Sequence, residues 1–263
     1  MRCDVGGRSV YAYTGSRGFD PALPTIVFVH GAAHDHSVWA LQSRYFAHHR
    51  RNVLAVDLPG HGRSGGEPPA SVEAIGEWLS ALLDATRIEH AALVGHSLGA
   101  LAVLEAAGGH PERVETIALL GPSVPMPVAD VLLDAAKAND HLAYELITGW
   151  SFAPGHQLGG NQQPGVWMTG NALRLMERSQ PGALYSDLLA CHRYAGGLAA
   201  ARQIRCPALL ILGQRDLMAP AHNAAALTAA LAGCRVVTIP DCGHSLMAEA
   251  PDAVLDALRA FLP

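Results

Sequence analysis

Six short apolar runs alternate with longer segments whose apolar residues recur at helical spacing, and this alternation limits the fold more than any other feature. The runs are "TIVFVH" (25–30), "NVLAVD" (52–57), "HAALVG" (90–95), "VETIALL" (114–120), "ALLILG" (208–213) and "RVVTIP" (235–240). Nearly continuous apolar character over so few residues is expected of strands covered on both faces. Amphipathic stretches at 38–47, 72–83, 98–108, 221–231 and 253–261 lie between them, each flanked by Gly, Pro, Ser or Asp. Strand and helix in alternation predict an α/β fold, a mainly parallel sheet with right-handed crossovers that place helices on both faces. One further run, "SVYAYT" (9–14), alternates like a solvated hairpin strand.

The interval 122–204 breaks the rhythm. It holds apolar helical patches and the Gly-, Pro- and Gln-rich "SFAPGHQLGGNQQPGVW", but no convincing strand, and it is too long for an ordinary loop. It is expected to form a helical cap on a core built from 1–121 and 205–263, with a flexible middle near 153–165. A chain of 263 residues, half of them hydrophobic, suits one large domain with such an insertion. Only 16% of residues are charged and the net charge is −5, which excludes the basic footprint of a nucleic-acid partner. No signal-like h-region opens the chain and no apolar stretch approaches a membrane span, so a cytoplasmic protein without membrane insertion is expected. Five scattered cysteines without a C-x-x-C pair argue against a disulfide framework and a structural zinc site.

Chemistry enters at Gly95-His96-Ser97-Leu98-Gly99, a G-x-S-x-G pattern directly after one apolar run and directly before a helical one. In that context the glycines let the backbone turn sharply, and the serine hydroxyl is lifted above the carboxyl end of the sheet. Serine is a weak nucleophile unless a base takes its proton, so a carboxylate and a histidine must follow in that order. Asp216 follows the run at 208–213 and His244 the run at 235–240, which brings both to the same sheet edge as Ser97. Taken singly, Asp216 could instead cap the turn before Pro220, and His244 could be a packed polar residue. Asp241 is too near His244 on one loop, and Asp57 follows an earlier strand. A tetrahedral intermediate further needs preorganised donors for its oxyanion. Expected are the backbone N–H groups of Leu98 and of Ala32 in "HGAAHDH".

With "FVHGAAHDHSVW", "VDLPGHGRS", "VGHSLGA", "LGQRDLMAP" and "CGHSLMAEAP" in order, the chain resembles the α/β-hydrolase superfamily in its cap-bearing branch, over nearly its whole length except the cap. The resemblance implies an α/β-hydrolase fold of about eight strands. It implies Ser97 as nucleophile, His244 as base, Asp216 as the third member of the triad, and a substrate pocket between cap and core. Serine at position 97 argues against dehalogenase and epoxide hydrolase relatives, which use aspartate.

Candidate pocket residues are His34, His96, Met126, Trp150, Phe152 and Trp167, in a lining expected to be mostly apolar. The expected activity is acyl transfer from a small, largely apolar carboxylic ester, thioester or lactone to Ser97, with no metal and no organic cofactor. A pocket-facing Arg174 or Arg178 would favour instead a carboxylate-bearing substrate, as in enol-lactone opening or carbon–carbon cleavage. A receptor with little turnover is the non-enzymatic alternative. "HGAAHDH" also resembles the histidine-rich strand-end motif of metallo-β-lactamase-like zinc hydrolases, but Ala32 stands where a ligand belongs.

Overall fold

The computed structural model describes residues 1–160 and 165–263. Its sheet has eight strands in the order β1-β2-β4-β3-β5-β6-β7-β8. These are β1 (Arg2–Val5), β2 (Arg8–Tyr13), β3 (Thr25–Val29), β4 (Asn52–Val56), β5 (Ala91–His96), β6 (Val114–Leu120), β7 (Ala208–Gly213) and β8 (Arg235–Ile239). β1 and β2 form an antiparallel hairpin and β2 runs antiparallel to β4, whereas every pair from β4 to β8 is parallel. The alternating run at 9–14 is β2, whereas β1 has no such run in the sequence. The hairpin turns at the Gly6-Gly7 pair, which supplies the left-handed conformation (φ +60° and +79°) that a two-residue hairpin turn requires.

Alternate residues of the central strands feed two hydrophobic layers. Val27, Leu93 and Ile117 pack with helices α2 (Val72–Thr86) and α3 (Leu98–Gly109) on one face. Phe28, Val94 and Ala118 pack with α1 (Ala40–His48) and the C-terminal helix Pro251–Arg259 on the other. Ser71 caps α2 by accepting the Ala74 N–H, and α3 is so rich in alanine and glycine that it lies buried almost all round. β8 departs from expectation. Read as a strand covered on both faces, it buries only Ile239 and exposes Arg235, Val236 and Thr238, because it closes the sheet and has a partner on one side only.

Between β6 and β7 the described residues form helices α4 (Asp130–Lys137), α5 (Leu142–Ser151), α6 (Pro154–Gln157), α7 (Met168–Met176), α8 (Ala183–Arg193) and α9 (Gly197–Gln203), and no strand. Leu132, Ile147, Met176, Leu184 and Leu188 make a separate apolar cluster with Ala33, whereas Cys191, Tyr194 and Ala201 join the layer that holds α3. Of the stretch 153–165 expected to be flexible, residues 161–164 lie outside the described residues, and the start of the rest is a single helical turn. No helix among the described residues is long and apolar enough to cross a membrane.

After β3 the chain adds β4 on one side of it and then β5 on the other. Such a reversal opens a crevice beyond the carboxyl ends of the two central strands. The loop after β3 and the turn after β5 meet there.

Candidate active site

Ser97 occupies the turn between β5 and α3 at φ +54° and ψ −118°, a conformation that side-chain-bearing residues seldom adopt. The turn is held by the Ser97 N–H, which donates to the Leu120 carbonyl (2.9 Å), and by the Ser97 carbonyl, which accepts the Ala100 N–H (2.9 Å). It is tight enough to require both flanking glycines. A Cβ on Gly95 would stand 2.2 Å from the Gly99 carbonyl oxygen, and one on Gly99 would stand 2.4 Å from that of Val29. At the start of α3 the Leu98 N–H has no carbonyl one turn back to bond. Neither it nor the Ala32 N–H donates to another protein group among the described residues.

His244 and Asp216 come together at 2.7 Å, Nδ1 to Oδ2, both buried. The carboxylate accepts from Nδ1–H, so Nε2 is the ring nitrogen left to exchange a proton. The other carboxylate oxygen accepts the N–H groups of Met218 (2.8 Å) and Ala219 (2.7 Å). Turn capping and histidine binding, rival readings of Asp216 in the sequence, are thus divided between its two oxygens. The His244 backbone is fixed as well, since its N–H donates to the Ser151 carbonyl (2.7 Å) and its own carbonyl accepts from His96 Nε2 (2.8 Å). Burial, with the charge on His244 next, holds His96 well below the ordinary histidine range. It is therefore a neutral donor.

Ser97 and His244 line one cavity of about 160 Å³, roofed by Met126, Leu132, Ile147 and Trp150 and floored by Ala32 and His34. A second cavity of about 580 Å³ shares His34, His96 and Ser245 with it and runs out beneath α7, past Phe152, Arg174 and Arg178. Of the residues expected in the pocket, His34, His96, Met126 and Trp150 adjoin Ser97, and Phe152 lines only the second cavity. Trp167 lines neither. It is 68% exposed, in a shallow depression with Glu145 and Gln157. Burial pushes His34 below the ordinary range, outweighing the Ala32 carbonyl and Asp35, and its shielded Nδ1 has no partner among the described residues.

The sequence model of the alpha/beta hydrolase family matches residues 26–257, which takes in β3 from its second residue, every later strand and all the residues just described. The chain belongs to that family. It is 30% identical to a pimeloyl-[acyl-carrier protein] methyl ester esterase of Aromatoleum aromaticum over 245 residues, 87% of this chain and 94% of that protein. It is 27% identical over 283 aligned positions to the dihydrolipoyllysine-residue acetyltransferase component of an acetoin cleaving system from Pseudomonas putida, covering 100% of this chain and 69% of that one. Among solved structures, the enol-lactonase from Burkholderia xenovorans LB400 superposes with a TM-score of 0.87 at 24% identity, covering 100% of this chain and 99% of that one. That likeness is one of fold.

Several polar residues that brace this α/β hydrolase site escaped the sequence reading. Glu249 is buried and accepts N–H groups from Gly243 (3.0 Å) and Ala153 (2.8 Å), with His156 Nδ1 at 2.7 Å, which fastens the His244 loop to the segment between β6 and β7. Asp187, buried on α8, accepts the Ala33 N–H (2.9 Å) and pairs with His61 Nε2 (2.9 Å). The "PGHG" turn that carries His61 was visible in the sequence. Its acid, an aspartate within an ordinary helical pattern, gave no signal.

Two of the three histidines of "HGAAHDH", His30 and His36, are engaged in hydrogen bonds within the protein. His30 Nε2 accepts the Leu58 N–H (3.0 Å) while Nδ1 donates to the Gly31 carbonyl (2.8 Å). Asp35, His36 and Asp57 lie close enough together to hold an ion, but their groups are already used. One Asp57 oxygen accepts the His36 N–H and Nδ1–H (both 2.7 Å) and the other accepts the Arg63 N–H (2.8 Å), while Asp35 caps the 3-10 turn His36–Trp39 through the Ser37 N–H. Cys242 is fully buried, and burial followed by the charges of Glu249 and Asp216 pushes its thiol far up, so it remains a protonated packing group.

Proposed function

We propose that this member of a hydrolase family is a serine hydrolase that cleaves a small, largely apolar carboxylic ester through an acyl-enzyme on Ser97. One arrangement carries the reading: a strained serine and a histidine line one cavity, the histidine's far nitrogen is bound to a buried aspartate, and two unengaged backbone N–H groups flank the serine. In the first step His244 Nε2 takes the Ser97 proton as Oγ bonds to the ester carbonyl carbon. The carbonyl oxygen becomes an oxyanion that the N–H groups of Leu98 and Ala32 stabilise. Asp216 holds the ring tautomer and stabilises the imidazolium. That imidazolium protonates the alcohol as the carbon–oxygen bond breaks, and His244 then activates water to release the acid. No step calls for a metal or an organic cofactor.

The segment between β6 and β7 is read as the cap that closes this cavity. Its roof of Met126, Ile147 and Trp150 suits a short apolar group better than a charged one. A panel of small esters, lactones and vinylogous diketones, assayed with wild-type protein and with Ser97→Ala as the blank, tests the proposal. Turnover of at least one ester that vanishes in the variant is expected, and equal rates in the two proteins would sink it.

A second reading, lactone opening or carbon–carbon cleavage of a carboxylate-bearing substrate, draws on Arg174 and Arg178 beside the second cavity. Arg174 is committed to Glu177 at 2.7 Å, whereas the Arg178 guanidinium has no partner among the described residues. In the same panel, a lactone carrying a free carboxylate that outruns its methyl ester would favour this reading.

A further inference from the structure

The loop that bears Ala32 is a strained turn. The His34 N–H donates to the Gly31 carbonyl (3.3 Å), and Ala33 sits at φ +51°, the left-handed value found at the third position of a type II turn. Alanine is poorly suited to that position. Flipping the Ala32–Ala33 peptide plane would convert the turn to type I and return Ala33 to a relaxed conformation. Something must oppose the flip.

Asp187 is placed to do so. Its Oδ2 accepts the Ala33 N–H at 2.9 Å, and in the flipped turn the Ala32 carbonyl would face this carboxylate in place of the N–H. His61 directs Nε2 at Asp187 Oδ2 (2.9 Å) and Nδ1 at the Pro59 carbonyl (3.0 Å), and these two contacts outweigh burial and favour the ring with a proton on each nitrogen. Both side chains are almost wholly shielded from solvent. Asp187 belongs to α8, in the segment that roofs the cavity, and not to the sheet that carries Ser97.

We propose that Asp187 is a positioning residue for the oxyanion hole: by anchoring the Ala33 N–H it fixes the turn one peptide beyond the Ala32 N–H and so holds that donor in place, and the donor site is complete only when the segment that carries Asp187 is seated on the core. The inference rests on the serine-hydrolase reading above and adds to it a residue that touches no reacting atom. Asp187→Asn keeps an oxygen for the Ala33 N–H but removes the charge. Asp187→Ala removes both, and His61→Gln keeps a donor to Asp187 without the positive charge.

The test uses the full chain, with p-nitrophenyl butyrate as substrate, phenylboronic acid as a mimic of the tetrahedral intermediate, and a fluorophosphonate to count competent sites. Per competent site, Asp187→Ala should lower kcat by roughly 10- to 100-fold, the range in which a slightly misplaced or missing oxyanion donor is felt. KM should stay within about threefold, boronate affinity should fall in step with kcat, and Asp187→Asn should fall between Asp187→Ala and wild type. A purely structural role would lower the number of competent sites and leave kcat per site and boronate affinity at wild-type values, and that result overturns the inference. If Asp187→Ala fails to fold, Asp187→Asn and His61→Gln decide on the same two readouts. Full activity in Ser97→Ala would overturn the parent reading, whereas Ser97-dependent turnover that is indifferent to Asp187 overturns this inference alone.

Discussion

Two buried histidine–aspartate pairs of almost equal length meet near the same crevice, His244–Asp216 at 2.7 Å and His61–Asp187 at 2.9 Å. Their remaining valences are arranged in opposite ways. Asp216 has both oxygens engaged, while His244 Nε2 makes no bond to the protein among the described residues and its ring lines the cavity of Ser97. His61 has both nitrogens engaged, and it is Asp187 Oδ1 that lies buried without a partner. A ring with one free nitrogen can accept a proton. A ring donating from both nitrogens cannot, and serves as a charged strut. The distinction between base and strut therefore rests on the second nitrogen and not on the pairing.

The largest effects should come from the pair with the free nitrogen. Ser97→Ala and His244→Ala should each lower turnover of a small ester by on the order of 10⁶-fold, and the double variant should be no worse than either, because the groups act as a unit. Steady-state kinetics on all three proteins checks this, and additive losses would break the comparison. Asp216→Asn should come next, at about 10⁴-fold, because the amide offers Nδ1 the wrong tautomer. The same exchange at Asp187 reaches no reacting atom and should cost far less.

These expectations show where the sequence was legible. That Asp216 meets His244, and that His244 lines one cavity with Ser97, could be anticipated because each residue follows a strand end in a set order, which is a constraint on short, recognisable stretches. Asp187 could not. On α8 an aspartate in "ALYSDLLACHR" reads as part of a solvated face, and its burial follows from how the segment between β6 and β7 lies on the core. Trp167 departs in the opposite sense, since an aromatic residue at the end of a Gly-, Pro- and Gln-rich stretch reads as pocket wall yet is largely exposed. β8 teaches the same lesson for the fold. Its composition is that of a buried strand, but exposure is set by its place at the sheet's edge, which no local pattern records.

Stability should rank the pairs the other way. His61→Ala leaves Asp187 as a buried charge with one oxygen already unpartnered, and uncompensated burial of this kind costs about 3–5 kcal/mol. His244→Ala leaves Asp216 with two backbone N–H donors, so its loss should be clearly smaller. Urea denaturation of wild type and both variants measures the ranking. Equal losses would mean that His61 is not charged in the folded protein.

The proton on His61 allows a finer version of the same test. Burial opposes its charge, but the Asp187 charge and hydrogen bond, the Pro59 carbonyl and the nearby Asp57 together outweigh burial and raise it above its usual value of 6.5. His30, whose ring centre is 5.1 Å away, does not compete for the proton, since its own burial and the His61 charge hold it well below the ordinary range. A folded-state value above the unfolded one means that the folded protein binds the proton more tightly. The resulting stabilisation is fully present below about pH 6.5 and is lost as the pH rises through the raised value. The stability difference between wild type and His61→Gln should therefore shrink as urea midpoints are followed upward from pH 6. Taking the difference cancels titrations common to both proteins, such as the exposed His141. A difference that grows with pH would mean that the folded protein holds His61 neutral, and the strut would then be a hydrogen bond without charge.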